Sequence, residues 1–124
     1  MFNSIALVGG THGNETSGIQ LIRNWQQFGL PSRFDALNVS LTIANEAALE
    51  ANVRFVEEDL NRQFTMERLA AENPAKEAVL AKSLNEKFGP KGNSNTDFVI
   101  DIHNTTSEMA ATLIILEADE FHTQ

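Results

Sequence analysis

Ser4-Ile5-Ala6-Leu7-Val8-Gly9-Gly10-Thr11-His12-Gly13-Asn14-Glu15 decides how this chain is read. From Ile5 to Val8 the residues are apolar without alternation, the pattern of a short strand buried on both faces, and Gly9-Gly10 stops it. Ser17 to Phe28 reads as a helix with an apolar stripe of Ile19, Leu21, Ile22 and Trp25, ended by Gly29 and Pro31. Leu37 to Ala44 alternates through Leu37, Val39, Leu41 and Ile43, as a second strand does. Strand, helix and strand within about forty residues predict a βαβ crossover and a parallel pair. The fold class is therefore α/β.

Asn45 to Asn52 reads as a short helix or turn. An irregular stretch follows, carrying Arg54 and Asp59-Leu60-Asn61-Arg62. Met66 to Phe88 is rich in helix formers, is divided at Pro74 and ends at Gly89-Pro90. Lys91 to Thr96 is a polar loop, Asp97 to His103 a third strand, and Ala111 to Glu117 a fourth. Trp25 and most of the phenylalanines read as core. No repeat or interdomain linker interrupts the chain. The fourth strand is strongly apolar, and only Ala118 to Gln124 follow it. In a complete α/β domain further elements would cover it, so the expectation is the front part of a longer protein.

With 124 residues, 42% of them hydrophobic and 21% charged, the chain has the make-up of one globular domain rather than of a disordered segment. A formal net charge of −8 repels phosphate backbones and anionic lipid, which argues against nucleic-acid and membrane partners. A small anionic substrate remains compatible where arginines are concentrated. There is no cysteine, hence no disulfide and no redox motif, which fits a cytoplasmic protein. Ile5 to Val8 is too short for a signal-peptide core or a membrane span.

His12 and Glu15 stand three residues apart just past the first strand, and His103 stands at the exit of the third. Open α/β sheets bind ligands at the carboxyl ends of their strands, where all three residues fall. Two imidazoles and a carboxylate are the ligand set of a catalytic zinc site, which leaves a fourth position for water. His-x-x-Glu pairs also occur on solvated turns; strand-end placement and the distant His103 favour the metal reading. His122 reads as an exposed bystander. Asp101, two residues before His103 on the same side of a strand, is either an outer carboxylate orienting a ligand or arginine, or a buried Asp bonded to backbone. Arg54 and Arg62 lie beside Glu57, Glu58 and Asp59. They read either as a surface ion-pair cluster or as a substrate clamp. In the clamp, Arg62 with Asn61 grips a carboxylate and Arg54 polarises a carbonyl. Gly9, Gly10 and Gly13 lack the spacing of a phosphate loop and read as a tight turn beside the ligands.

Gly9-Gly10-Thr11-His12-Gly13-Asn14-Glu15, Asp59-Leu60-Asn61-Arg62 and Asp101-Ile102-His103-Asn104-Thr105-Thr106-Ser107 resemble, in order, three signature segments of the aspartoacylase / succinylglutamate desuccinylase family of the zinc carboxypeptidase superfamily. The last segment is closer to aspartoacylases than to desuccinylases. The resemblance implies a mixed, largely parallel zinc-carboxypeptidase-like sheet with flanking helices, of which residues 1–124 would be the N-terminal part. It implies one zinc held by His12, Glu15 and His103, the substrate α-carboxylate on Asn61 and Arg62, the amide carbonyl on Arg54, and Asn104 in the pocket. The implied reaction is hydrolysis of a small anionic N-acyl amino acid, of the N-acetyl-aspartate type, to a carboxylate and a free amino acid, by a possible homo-oligomer. The family's general base is a glutamate in a Glu-Val-Gly-like segment of the second half, and no such segment occurs here. Residues 1–124 alone are therefore expected to be largely inactive. The alternatives are a desuccinylase or another carboxypeptidase-like hydrolase, and an inactive module that binds zinc or a partner.

Overall fold

β1 (Ser4–Gly9) is the middle strand of a three-stranded sheet, with β2 (Asn38–Ile43) on one side and β3 (Phe98–Ile102) on the other, both parallel to it. The computed structural model describes residues 2–90, 93–108 and 110–114. Gly9 is level with Ile43 and with Ile102, so all three strands end at one edge of the sheet.

Neighbouring residues of a strand point to opposite faces, and this places the helices. At Gly9 an added Cβ would lie 2.6 Å from the carbonyl carbon of Gly18, in α1 (Thr16–Phe28). Glycine at both positions lets strand and helix backbones touch. Val8, one residue earlier, packs instead with Leu60 and with Ala81 and Leu84 of α4 (Lys76–Phe88). Thus α1 and α4 cover opposite faces. Right-handed crossovers require this, because the chain leaves β1 for β2 in one direction and crosses to β3 in the other. β1 is the point at which the strand order reverses, and the crevice beyond its carboxyl end is where such sheets hold ligands.

The remaining elements are short. α2 (Glu46–Glu50) follows β2 directly, and Asn45 Oδ1 caps it by accepting the Ala48 N–H at 3.2 Å. The helical stretch after residue 65 is divided as Pro74 predicts, into α3 (Met66–Ala70) and α4. Among the described residues no helix is long and apolar enough to cross a membrane.

Two expectations need correction. The apolar run from Ala111 does not continue the sheet over its described part: residues 111–114 are not in a strand, and Leu113 and Ile114 are 78% and 79% exposed. Apolar character makes a strand only against a partner edge, and this segment meets none among the described residues; Ile115 to Glu117 lie outside them. Nor, among the described residues, do the aromatic ones form the core. The buried set is Ala, Val, Ile and Leu, Trp25 is only half-buried, and Phe64 and Phe88 pack against the rim of the cluster around Leu60. Where Gly9 meets Gly18, the layers approach too closely for a ring. Ile22, fully buried in α1, contributes about 1.5–3 kcal/mol by leaving water.

Candidate metal centre

The loop after β1 turns back at once, because Gly10 adopts a φ of +71° and the Glu15 N–H closes on the His12 carbonyl at 3.2 Å. This leaves His12 buried at 3% exposure, with Glu15 as the residue that opens α1. β3 delivers Asp101 and His103 to the same edge. One ligand atom from each of His12, Glu15 and His103 can be chosen so that all three lie within 4.8 Å of one another.

Glu15 stands between the two imidazoles. His12 Nδ1 is 2.7 Å from Glu15 Oε1, and His103 Nδ1 is 2.8 Å from Glu15 Oε2. Each ring presents its other nitrogen to a further carboxylate: His12 Nε2 to Asp59 Oδ1 at 3.1 Å, and His103 Nε2 to Asp101 Oδ2 at 2.7 Å. Thr11 donates its hydroxyl to Asp101 in turn, and the Asn104 N–H donates to Glu15 Oε2 at 2.9 Å.

This arrangement has an electrostatic consequence. A neutral imidazole carries one N–H and can serve only one of the two carboxylates that face it. The other nitrogen then turns a lone pair toward negative oxygen. Either a second proton or a cation between the ring and Glu15 removes the conflict. At His103 the bond to Asp101 raises the pKa above 6.5, burial opposes this, and the Asp101 and Glu15 charges add to the rise. Burial pushes Glu15 up, but the Asn104 N–H and the two histidines outweigh it and hold the carboxyl below its usual 4.5. Burial likewise pushes Asp59 up, while the His12 bond, the Asn61 N–H and Arg54 bring it below 3.8. With Nδ1 of both rings aimed at one carboxylate and both Nε2 atoms braced by others, the donor set fits a divalent metal. Metal-binding histidines nearly always give their second nitrogen to such a partner.

The substrate-binding candidates divide. Arg54 is half-exposed, with Nη1 3.7 Å from Glu15 Oε1 and Nη2 3.3 Å from Asp59 Oδ2. It lines a cleft of about 380 Å³ with Asn14, Glu15, Asn104, Thr105 and Thr106. Asn104 is on that wall, yet its side chain also holds the start of α1: Oδ1 accepts the Ser17 N–H at 3.1 Å, and Nδ2 donates to Ser17 Oγ at 2.8 Å. Asn61 and Arg62 do not line the cleft; they are exposed in the 3-10 turn Leu60–Arg62 that follows Asp59. Glu57 and Glu58 face away, Glu57 accepting the Lys76 N–H at 2.6 Å and Glu58 the Asn73 amide. His122 lies outside the described residues.

Residues 2–124 match the family described as the succinylglutamate desuccinylase/aspartoacylase catalytic domain. The chain belongs to this family. An aspartoacylase of Danio rerio is 44% identical over 115 residues, 90% of this chain and 36% of its own length. A Xenopus laevis protein named N-acyl-aromatic-L-amino acid amidohydrolase (carboxylate-forming) is 40% identical over 122 residues, 96% of this chain and 40% of its own. The crystal structure of murine aminoacylase 3 superposes with a TM-score of 0.75 at 38% identity, covering 86% of this chain and 36% of that one. Set beside these aspartoacylase-family relatives, the chain thus spans about two fifths of their length.

Two members of this cluster are not evident from the sequence. Asp59 sits in a run of three acids, indistinguishable by type from its solvated neighbours, and only the fold turns it to His12. Thr11 is a short hydroxyl residue like Thr16 and Ser17 at the start of α1, with nothing in its type to set it apart. The available signal was position alone, since Thr11 and Asp101 both stand at strand exits.

Proposed function

We propose that residues 1–124 form the N-terminal part of the catalytic domain of a zinc-dependent amidohydrolase that cleaves an N-acyl amino acid to a carboxylate and a free amino acid. The observation that carries this reading is the pairing of His12 and His103 across Glu15, each ring braced on its far side by an aspartate. His12, Glu15 and His103 would hold the metal, and Asp59 and Asp101 would keep the rings in the tautomer that frees Nδ1. Zinc in such a site supplies a Lewis acid beside the substrate and lowers the pKa of water toward neutrality.

The chain's own groups act around it. Arg54 keeps one edge of its guanidinium on Asp59 and Glu15 and offers its exposed edge to the acyl carbonyl oxygen, where charge develops in the transition state. Asn61 and Arg62, exposed beyond Asp59, take the substrate α-carboxylate, a role for which a planar fork suits better than a point charge. The general base is assigned to no residue of this chain: Asp59 and Asp101 are engaged with histidines, Glu57 accepts the Lys76 N–H, and Glu58 is turned to Asn73 and Arg68. In this reading it belongs to the part of the catalytic domain beyond residue 124.

N-acetyl-aspartate is the proposed substrate class, and N-acyl aromatic amino acids are the second reading, since the relatives named for each are almost equally similar. Metal analysis and a substrate panel test the proposal. We expect one zinc per chain, lost from a His103→Ala variant. In a longer protein carrying these residues, we expect release of free amino acid from N-acetyl-aspartate ahead of N-acetyl-phenylalanine and N-succinyl-glutamate. A chain that retains no zinc, or a His103→Ala variant that retains it fully, overturns the reading.

A further inference from the structure

Glu77 is the second residue of α4 and has no solvent exposure. A helix's first turn commonly carries a glutamate, but on the surface, where it interacts with the helix dipole. Here the carboxylate is turned inward and accepts four hydrogen bonds. Oε1 takes the Val56 N–H at 2.6 Å and the Asn45 side-chain amide at 3.1 Å, and Oε2 takes the N–H groups of Glu57 and Glu58, each at 3.1 Å. No lysine, arginine or histidine among the described residues is bonded to it.

Three consecutive backbone N–H groups converging on one point make a concavity that binds anions. This chain fills the concavity with its own side chain. A buried carboxylate without a cation is expensive to maintain, and apolar packing generally stabilises a fold at least as well. What the carboxylate supplies and apolar packing does not is a fixed direction for the N–H groups of residues 56–58. That segment lies between Arg54 and Asp59, the two residues that reach the metal centre from this part of the chain. With residues 56–58 anchored toward α4, Asp59 meets His12 Nε2 and Arg54 Nη2 on the other side.

We infer that Glu77 is a positioning residue for the metal centre, acting through Asp59: its carboxylate anchors residues 56–58 so that Asp59 can orient His12. The inference rests on reading His12, Glu15 and His103 as metal ligands.

The test is a double-mutant cycle on the whole chain at pH 7 with two readouts: zinc affinity by chelator competition, and amide hydrogen exchange at residues 56–58. Glu77→Gln is expected to speed exchange at Val56, Glu57 and Glu58 by about tenfold or more, and to weaken zinc binding by about tenfold. Asp59→Asn should weaken zinc to a similar extent, and the double variant no further, because the two residues act in series. Ile22→Val, which lowers stability on the opposite face of the sheet, should leave zinc affinity within about twofold, which separates positioning from general loss of fold. Should Glu77→Gln fail to fold, Glu77→Asp decides on the same readouts: faster exchange with weaker zinc binding supports the inference, and unaltered values overturn it. Unaltered zinc affinity in Glu77→Gln beside a tenfold loss in Asp59→Asn, or fully additive losses, overturns the role of Glu77 and leaves the metal reading standing. Absence of zinc binding by the unsubstituted chain overturns the metal reading itself.

Discussion

Thr11 and Asp101 join the exits of β1 and β3: the threonine hydroxyl lies 2.8 and 3.0 Å from the two oxygens of the aspartate, whose Oδ2 holds His103 at 2.7 Å. A carboxylate fixed at both ends keeps the imidazole in one orientation. Asp101→Asn is expected to weaken zinc binding about 10- to 100-fold, the usual effect of losing such a partner. Thr11→Val, which frees the aspartate to rotate, should have a smaller effect in the same direction. Chelator competition measures both, and equal affinity in Asp101→Asn and the unsubstituted chain would refute the orienting role.

A ligand that binds only the folded chain raises its stability by mass action. At a free zinc concentration of a hundred dissociation constants the gain is about 2.7 kcal/mol. For a domain of this size that raises Tm by roughly 10 °C. A chelator should reverse the shift, and His12→Ala or Glu15→Gln should abolish it. A shift that survives in both variants would place the metal elsewhere.

Gly13 is enclosed by α2, where an added Cβ would lie 2.1 Å from the Ala48 carbonyl carbon, and its N–H donates to the Arg54 carbonyl at 3.2 Å. Backbone on both sides cannot yield as a side-chain end can. Gly13→Ala should therefore destabilise the fold by about 3 kcal/mol. Urea unfolding gives the value, and a loss below about 0.5 kcal/mol would show that α2 is free to shift.

Acid should act through Glu77. Burial by itself pushes its carboxyl up, but the N–H groups of Val56, Glu58 and Glu57 and the Asn45 amide outweigh burial and hold it below the ordinary 4.5. The folded value is thus lower than the unfolded one. Its stabilisation is complete above the unfolded value and is lost as pH falls through the lowered one. At pH 7 the unsubstituted chain should exceed Glu77→Gln by about 2–4 kcal/mol in unfolding free energy. That gap should narrow as pH drops below 4.5. Urea titrations at a series of pH values provide the comparison, and a gap independent of pH would mean that the charge contributes nothing.

The zinc-loaded chain should hydrolyse N-acetyl-aspartate at least about a thousandfold more slowly than a full-length zinc-loaded aspartoacylase such as the Danio rerio relative, the scale set by losing general-base assistance together with water exclusion. Comparable turnover at equal concentration would place the base among residues 1–124 and defeat that part of the proposal.

Much of the frame is legible from residue order alone. An unalternating Ile5-Ala6-Leu7-Val8, a helix stripe ending at Gly29 and an alternating second strand can assemble only as a parallel crossover, and parallel strands put their exits on one edge. That is why His12, Glu15 and His103 meet. Asp59 and Glu77 are not legible, because a carboxylate in an acidic run or a first helical turn has the same local signature whether it faces water or the interior. The run after Ala111 misleads for a related reason: apolar sequence records a need for burial, not the partner that meets it. The phenylalanines mislead through size, since close strand–helix contact at Gly9 and Gly18 reserves the interior for small and branched side chains.

β3 is fastened at both ends. Asp97, just before it, accepts the N–H groups of Asn3 and Ser4 at 2.7 and 2.9 Å, and beyond it His103 and Asn104 close on Glu15 and Ser17. His103 and Glu15 are 88 positions apart, so the front half of the centre is synthesised long before the back half. On a growing chain, His12 and Glu15 leave the ribosome as an incomplete pair. The complete donor set first exists when the third strand docks beside the first. Occupancy of the centre by a metal would therefore report on the birth of the fold, and a nascent chain would gain affinity for one only as its last described strand arrives.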